Sequence, residues 1–343
     1  MKTTKPQIIA FEVTRRCRYD CRHCRAEAGP QAESQQLTTE QCRKMLSAVA
    51  RYSKCMIILT GGEPMERDDI YEIIRYGCKR RLRMVLASCG YLINDQSIEK
   101  LKQAGISALS FSLDGASAET HDAFRRAPGS FEAVLNAARL TKEAGIRFQI
   151  NTTISRINID EIAGIADLAK RLGADCFNPF ILVPTGRGEQ IADELLDPLN
   201  YETVLNELLR MKLESQIEVR VTCAPQMARI CSQQKLDRIG AGVSGCIGGR
   251  EFGFISYRGD VQTCGFLNLS AGNLIENEYN FKAIWEGSEL LEEIRDVSGY
   301  KGDCGVCEYV TTCGGCRARA HALTGDYLAG DPVCSYKRAQ KNE

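Results

Sequence analysis

The most constraining stretch of the chain is Val13-Thr-Arg-Arg-Cys17-Arg-Tyr-Asp-Cys21-Arg-His-Cys24-Arg25, which places cysteines at i, i+4 and i+7. On a helix that spacing would gather the thiols on one face as a core stripe. The neighbours argue against a stripe. Arg15, Arg16, Arg18, Asp20, Arg22 and Arg25 surround the thiols, and no Leu, Ile or Val joins them to build an apolar face. Thiolates are soft ligands suited to iron–sulfur clusters, zinc or copper(I), and an iron–sulfur cluster normally takes four of them. Three in one short loop leave one metal position without a protein ligand. An incomplete first shell is what separates catalytic from structural metal sites. A zinc or purely structural site is the alternative.

Length and composition bound the rest. The chain has 343 residues, enough for two domains with real cores. Its formal net charge is zero, so no global basic field draws nucleic acid, and Lys79-Arg80-Arg81-Leu82-Arg83 reads as the solvated end of a helix. The opening MKTTKPQIIAFEV has no apolar segment long enough for a signal peptide, and no window approaches the ~20 apolar residues of a membrane span. The expected compartment is therefore the reducing cytoplasm. There, seventeen cysteines imply metal sites more than a disulfide framework.

Strand and helix patterns alternate strictly over the first half. Strands are expected at Ile8–Thr14, Met56–Thr60, Met84–Ala87, Ala108–Leu113, Arg147–Ile154 and Cys176–Val183. Helices are expected after a Thr38/Gln41 capping box, over Asp69–Tyr76 and over Asn94–Gln103. Two more are expected over Phe131–Glu143, capped by Ser130, and over Ile159–Leu172, with Asn158 and Glu161 as its box. Such alternation implies a parallel sheet with helices outside. Six units suit a partial (β/α)6, TIM-like barrel, with chemistry at the C-terminal strand ends. The open doubly wound sheet lacks its G-x-G-x-x-G after the first strand. The expected organisation is a barrel core over 1–183, a connecting segment over 184–222 that completes the barrel, and a small Cys-rich domain over 223–343. In the last segment, Phe252–Ser256 and Asp260–Thr263 read as a hairpin.

Gly61-Gly62-Glu63-Pro64 follows the second strand: the glycines let backbone approach a ligand, Pro fixes the exit and Glu63 is a fixed acceptor. Alone it would read as an ordinary turn. One βα unit after C-x3-C-x2-C, it resembles the second signature of the radical SAM enzymes. The resemblance implies a 4Fe–4S cluster on Cys17, Cys21 and Cys24, whose free iron chelates the amine and carboxylate of S-adenosylmethionine. Gly61, Gly62, Glu63 and Pro64 would hold that amine. Ser112 and Asp114 in Ser-Phe-Ser-Leu-Asp-Gly, with Asn151 and Thr153 on the fifth strand, would be contacts to the ribose and carboxylate. Asp114 reads equally well as the start of the next turn. Ser88-Cys89-Gly90 stands where many relatives have Thr-Asn-Gly, so Ser88 retains a donor while a contact from position 89 is in doubt. His23 sits where relatives carry an aromatic near the adenine.

From Cys223 onward eight more cysteines follow. Cys246-x12-Gly259-x4-Cys264 precedes Cys304-x2-Cys307-x5-Cys313-x2-Cys316 and Cys334. This resembles the SPASM extension of radical SAM enzymes, with x2 in place of the commoner x3 before Cys316. The resemblance implies one auxiliary cluster on Cys304, Cys307, Cys313 and Cys334. A second would sit on Cys246, Cys264 and Cys316, with Cys231 or Cys223 as fourth ligand. A zinc ribbon is the competing reading of paired C-x2-C knuckles. Cys42, Cys55, Cys78 and Cys176 fit neither pattern and read as small buried hydrophobes.

Three stretches narrow the resemblance: Glu12–Cys17 with His23–Glu27, Pro184-Thr-Gly-Arg-Gly188, and Cys313–Ala320 with Thr324–Leu328. They are similar to the heme b synthases of the siroheme-dependent pathway and, slightly less, to the heme d1 enzymes. The implied reaction is oxidative decarboxylation of two propionates of iron-coproporphyrin III to vinyl groups, fed by an electron donor such as flavodoxin or ferredoxin. A peptide maturase of the SPASM type is the alternative. Arg187 past the sixth strand is the substrate-contact candidate, because guanidinium suits carboxylate. Arg15, Arg16, Arg25, Arg317 and Arg319 divide between that role and tuning of anionic clusters or solvated surface. His321 and His121 are weak candidates for a heme-iron ligand.

Overall fold

The computed structural model describes residues 4–31, 33–236 and 244–336. Strands β1 (Ile8–Thr14), β2 (Met56–Gly61), β3 (Arg83–Ser88), β4 (Ala108–Ser112), β5 (Phe148–Ile154), β6 (Cys176–Ile181) and β7 (Glu218–Val219) pair in sequence order, all parallel. Consecutive neighbours joined by helical crossovers curve one sheet around an inner face, and the sheet does not close. β1 is buried along almost its whole length, as a central strand covered on both faces must be. β5 alternates, with Gln149, Asn151 and Thr153 half-buried on one face and Phe148, Ile150, Thr152 and Ile154 buried on the other. That half-open polar face is the interior of the partial barrel.

The outer layer begins with α1 (Thr39–Tyr52), whose Thr38/Gln41 capping box forms as the sequence predicts. α2 (Ile70–Lys79) and α3 (Asp95–Ala104) follow, the latter stopped by left-handed Gly105. Next come α4 (Ala118–Arg125), α5 (Ser130–Glu143), α6 (Ile162–Arg171), α7 (Pro198–Glu214) and α8 (Gln226–Gln233). α4 has no counterpart in the pattern reading. Two cap assignments also change. Ser130 lies inside α5 and its hydroxyl bonds Asp122, while Gly129, with φ +83°, takes the cap position. Asn158 makes no cap. Its amide donates to the Asp114 and Thr153 carbonyls, Glu161 accepts from Ala116 N and Thr120, and Ile159–Glu161 is a 3-10 turn ahead of α6.

Residues beyond Cys223 join the same sheet. β8 (Phe252–Ile255) runs parallel to β1, and β9 (Asp260–Gln262) returns antiparallel to β8 as the predicted hairpin. β10 (Gly272–Asn273) completes the ten-stranded order β10-β9-β8-β1-β2-β3-β4-β5-β6-β7. The short helices α9 (Phe281–Gly287), α10 (Glu289–Arg295), α11 (Gly302–Gly305) and α12 (Arg317–Thr324) cover this end. The hydrophobic core is continuous from Ile9 and Phe11 through α1 to Phe281 and Trp285. No helix among the described residues is long and apolar enough to cross a membrane.

Gly253 on β8 has no side chain because Trp285 occupies the space. A Cβ there would lie 2.8 Å from Cζ3 of the ring. The fully buried ring is held by Nε1 donating to the Thr4 carbonyl and by Arg295 stacked 5.0 Å from its centroid. Gly253→Ala should therefore cost about 1–3 kcal/mol by overpacking, partly offset by ~0.4–1 kcal/mol of lost unfolded-state freedom. An unchanged urea midpoint would refute this packing.

Candidate functional site

The cysteine loop begins where β1 ends. It is closed at its base by Cys17 N–H donating to Gly29 O at 2.6 Å and Gly29 N–H to Arg15 O at 3.1 Å. Tight turns follow, with Cys24 N–H on Cys21 O at 3.3 Å and Glu27 N–H on Cys24 O at 3.2 Å. Within this loop Cys17 and Cys24 both press electrostatically on Cys21. Burial pushes the Cys21 thiol up to about 12. A hydrogen bond with Cys89 brings Cys17 down to about 6 against the opposing effect of burial. A metal bound by these thiols would hold them as thiolates, and its binding would release their protons.

β2 delivers the second motif by pairing onto the extension of β1. Gly62 N–H donates to Thr14 O and Glu63 N–H to Arg16 O, both at 2.8 Å. A Cβ on Gly61 or Gly62 would stand 2.0 Å from Thr14 O or 2.4 Å from Arg16 O, so the glycines are required by this backbone contact. Glu63 is wholly buried. Its carboxylate accepts from Met65 N, Ser88 Oγ and Cys89 N, which locks the end of β3 to the motif. Burial raises its pKa to about 7. Ser88 thus spends its hydroxyl proton on Glu63, and position 89 packs a thiol beside Cys17.

Asp114, at the end of β4, is fully buried and bound within the chain. Arg125 donates to it through Nε at 2.9 Å and Nη2 at 2.8 Å, and Thr153 N–H donates to its other oxygen at 2.7 Å. These contacts brace the end of β4 against α4 and β5. Arg125 then extends Nη1 to within 3.9 Å of Cys21 Sγ and 3.7 Å of Cys89 Sγ. The same helix, α4, presents Phe124, whose ring lies 4.4 Å from that of His23. Arg125 and Phe124 escaped the sequence reading because α4 is only eight residues long and mostly polar. The usable signal was Ser117 as cap ahead of Glu119. Ser112 pairs in register with Asn151, which accepts from Gln149 and Asn178. With Thr222 donating to Asn178, these form a neutral polar ladder on the barrel's inner face.

The candidate arginines find internal partners. Arg25 and Arg15 both reach buried Glu12, at 3.0 and 3.5 Å, and lie over the rings of Phe254 and Tyr257. Arg16 pairs with Glu66. Arg187 donates to the carbonyls of Cys21 and Ala28. Arg319 is wholly buried, doubly bonded to Asp331 and donating to Cys223 O at 3.0 Å. Arg317 approaches Cys304 Sγ at 3.5 Å.

Beyond Cys223 the thiols fall into two groups. Cys316, Cys223 and Cys264 pack around Val183 and Leu267, and Cys246 presses on all three. Cys304, Cys313 and Cys334 act on one another, with Cys307 one turn from Cys304. The groups touch where Cys246 N–H donates to Cys313 O at 3.0 Å. Cys231 lies in α8 and belongs to the barrel core. Of the unassigned cysteines, Cys42, Cys55 and Cys176 are buried, whereas Cys78 is half-buried and bonds the Gly105 carbonyl.

The model of the radical SAM superfamily matches residues 11–169. The fold is also that of Streptococcus suis SuiB, solved with bound S-adenosylmethionine, at TM-score 0.76 and 16% identity over 97% of this chain and 78% of that one. The chain is a radical SAM protein. An AdoMet-dependent heme synthase of Methanosarcina barkeri is 44% identical, covering 99% of both chains. That of Nitratidesulfovibrio vulgaris is 39% identical, covering 96% of this chain and 92% of its own. Within the superfamily, the chain belongs to the AdoMet-dependent heme synthase family.

Two buried imidazoles beside the site give a pH signature. Burial first, and Arg125 in addition, lower His23 and His121 to about 4. His121 uses Nδ1 to accept from Asp114 N–H, and its Nε2 is buried without a partner. Unfolded, each would protonate near 6.5. Stability is therefore full above pH 6.5 and falls as pH drops to about 4, by something on the order of 3 kcal/mol for each. His121→Gln should remove about half of that loss in urea titrations compared at pH 6.5 and 4.5. An equally steep loss in the variant would contradict it.

Proposed function

We propose that this enzyme converts iron-coproporphyrin III to heme b by decarboxylating two propionates to vinyl groups. The observation that carries the reading is 44% identity to an AdoMet-dependent heme synthase across 99% of both chains. The site's chemistry agrees with it. When bound, a reduced 4Fe–4S cluster with S-adenosylmethionine supplies a 5′-deoxyadenosyl radical that removes one hydrogen from the propionate β-carbon, after which carbon dioxide and one electron leave.

Cys17, Cys21 and Cys24 are the ligands of that cluster. Gly61, Gly62, Glu63 and Pro64 shape the rim beside it, with Ser112 and Asn151 as the cofactor-side residues, while Ser88 and Asp114 brace the rim through Glu63 and Arg125. Arg25 and Arg15, oriented by Glu12, retain unspent donors for carboxylates, and Phe180 and Phe266, 6.5 Å apart, offer ring surface to a flat macrocycle. Segment 1–183 carries the radical chemistry, 184–222 connects, and 223–343 carries auxiliary clusters. One cluster is ligated by Cys304, Cys307, Cys313 and Cys334. The other is ligated by Cys246, Cys264, Cys316 and Cys223, whose φ of +60° is an uncommon conformation for a residue with a side chain. No three His, Cys, Asp or Glu groups among the described residues converge at single-ion distances. A cluster held by these cysteines would supply an acceptor for the departing electron. A flavodoxin or ferredoxin supplies the reducing one, in the cytoplasm.

Cys21→Ala should abolish reductive cleavage of S-adenosylmethionine while auxiliary iron and sulfide remain. Cleavage at the wild-type rate, or zinc without sulfide in the C-terminal segment, would overturn the metal assignments.

Anaerobic incubation with reductant, S-adenosylmethionine and iron-coproporphyrin III should give heme b through a monovinyl intermediate. One hydrogen abstraction per propionate requires about two 5′-deoxyadenosines per heme, raised by any uncoupled cleavage. An active cluster that leaves the porphyrin unchanged would sink this substrate.

A further inference from the structure

The segment after β6 carries an arginine whose partners lie in the cysteine loop. Leu182 N–H donates to Ile154 O at 3.0 Å, which ties this segment to the end of β5. Gly186 has φ +58°, and a Cβ there would stand 2.5 Å from Arg25 O and 2.8 Å from Cys24 O. Only glycine permits so close an approach, and through it Arg187 N–H reaches Cys24 O at 3.1 Å. The side chain then folds over the same loop. Nε donates to Cys21 O at 3.0 Å and Nη1 to Ala28 O at 2.8 Å, while Asp20 Oδ1 lies 3.2 Å from Nε. One residue thus grips three carbonyls, two of them on cysteines of the motif.

The remaining nitrogen, Nη2, is buried and has no hydrogen-bond partner. A guanidinium carries five donors in a rigid fork, and two of them anchored to carbonyls fix the direction of the rest. An unpaired buried donor on a cation is costly, and such a group calls for an acceptor that arrives with a ligand. Asp20 is mostly exposed and already faces Nε. The loop that Arg187 grips is the one that takes up an anionic, thiolate-ligated cluster.

We propose that Arg187 is a positioning residue of the radical cluster: it clamps the Cys21–Ala28 arc from outside and turns its unspent N–H groups to the anionic cluster. This rests on the radical SAM reading of the loop. A bidentate clamp explains why the residue is arginine, since lysine presents a point charge without a fork. It also removes Arg187 from the set of surface groups free to receive a substrate carboxylate.

The test compares wild type, Arg187→Gln and Arg187→Lys, all reconstituted anaerobically. Three readouts are followed: iron per chain after gel filtration, hydrogen exchange at Cys24 and Gly29, and the midpoint potential of the radical cluster by EPR titration. Arg187→Gln should lose iron from the three-cysteine site several-fold faster, with auxiliary iron retained and exchange accelerated. Its remaining radical cluster should titrate at a lower potential, because a nearby positive charge favours the added electron. Arg187→Lys should recover the potential and not the retention. A merely structural role would loosen the loop without moving the potential, and that result would overturn the contact with the cluster. Wild-type retention, exchange and potential, with only a raised KM for the porphyrin, would return Arg187 to the substrate. Absence of a S-adenosylmethionine-cleaving cluster from the wild type would instead overturn the functional reading itself.

Discussion

A short loop that turns three thiols inward exposes its backbone carbonyls outward, where no regular ladder exists to satisfy them. Much of this fold consists of donors brought to those carbonyls. Gly62 and Glu63 donate to Thr14 and Arg16, Cys17 donates across to Gly29, and Arg187 closes Cys21, Cys24 and Ala28. The donors come from β2, from the loop itself and from the segment beyond β6, elements far apart in sequence and adjacent only because a parallel sheet aligns its C-terminal ends. The cysteine loop therefore has a defined shape only within the assembled barrel.

Charge is arranged around the same loop. Asp114 and Arg125 are both buried, and each would be intolerable alone. Paired, they leave one guanidinium nitrogen directed at Cys21 and Cys89. The pairing also explains why the imidazole of His23 remains neutral although its Nε2 lies 3.5 Å from Asp114: Arg125 already compensates the carboxylate, and burial penalises a second cation. Neutral, the ring packs on Phe124.

What was legible in the sequence was local. Cysteine spacing, Gly61-Gly62-Glu63-Pro64, the Thr38 capping box and the β/α alternation depend on neighbours within a turn or two, and a chain writes such rules in order. The pairing of β8 with β1 joins segments some 240 residues apart, and no local pattern encodes it. Arg125 is decided by its buried partner Asp114, so its role emerges only once α4 returns to the rim. Asn158 failed as a cap because its Oδ1, the atom that would accept, takes Ser155 N–H at 3.0 Å, an orientation held by its amide donating to the Asp114 and Thr153 carbonyls. The roles of the arginines were not legible for one physical reason: a guanidinium near an anion site serves as well inside the chain, as Arg187 and Arg319 do on carbonyls and Asp331, as facing solvent.

The two thiol-rich regions share one rigid connection. Val183 packs among Cys316, Cys223 and Cys264, and four residues later Arg187 holds the radical loop. On the far side, Arg319 and Asp331 are buried together, with Tyr201 and Gln226 bonded into the pair and Cys316 N–H accepted by Asp331. These bonds tie α7 and α8 of the barrel to the C-terminal cysteine loop. Breaking one partner would leave an uncompensated charge in the interior, so the unit resists small displacements. The electron transfer proposed above, from a carbon radical to the C-terminal thiol region, would need a fixed separation between donor and acceptor. A hinged linker between two domains would not supply one. A sheet shared by both regions, with a buried ion pair behind it and a five-residue strap in front, does.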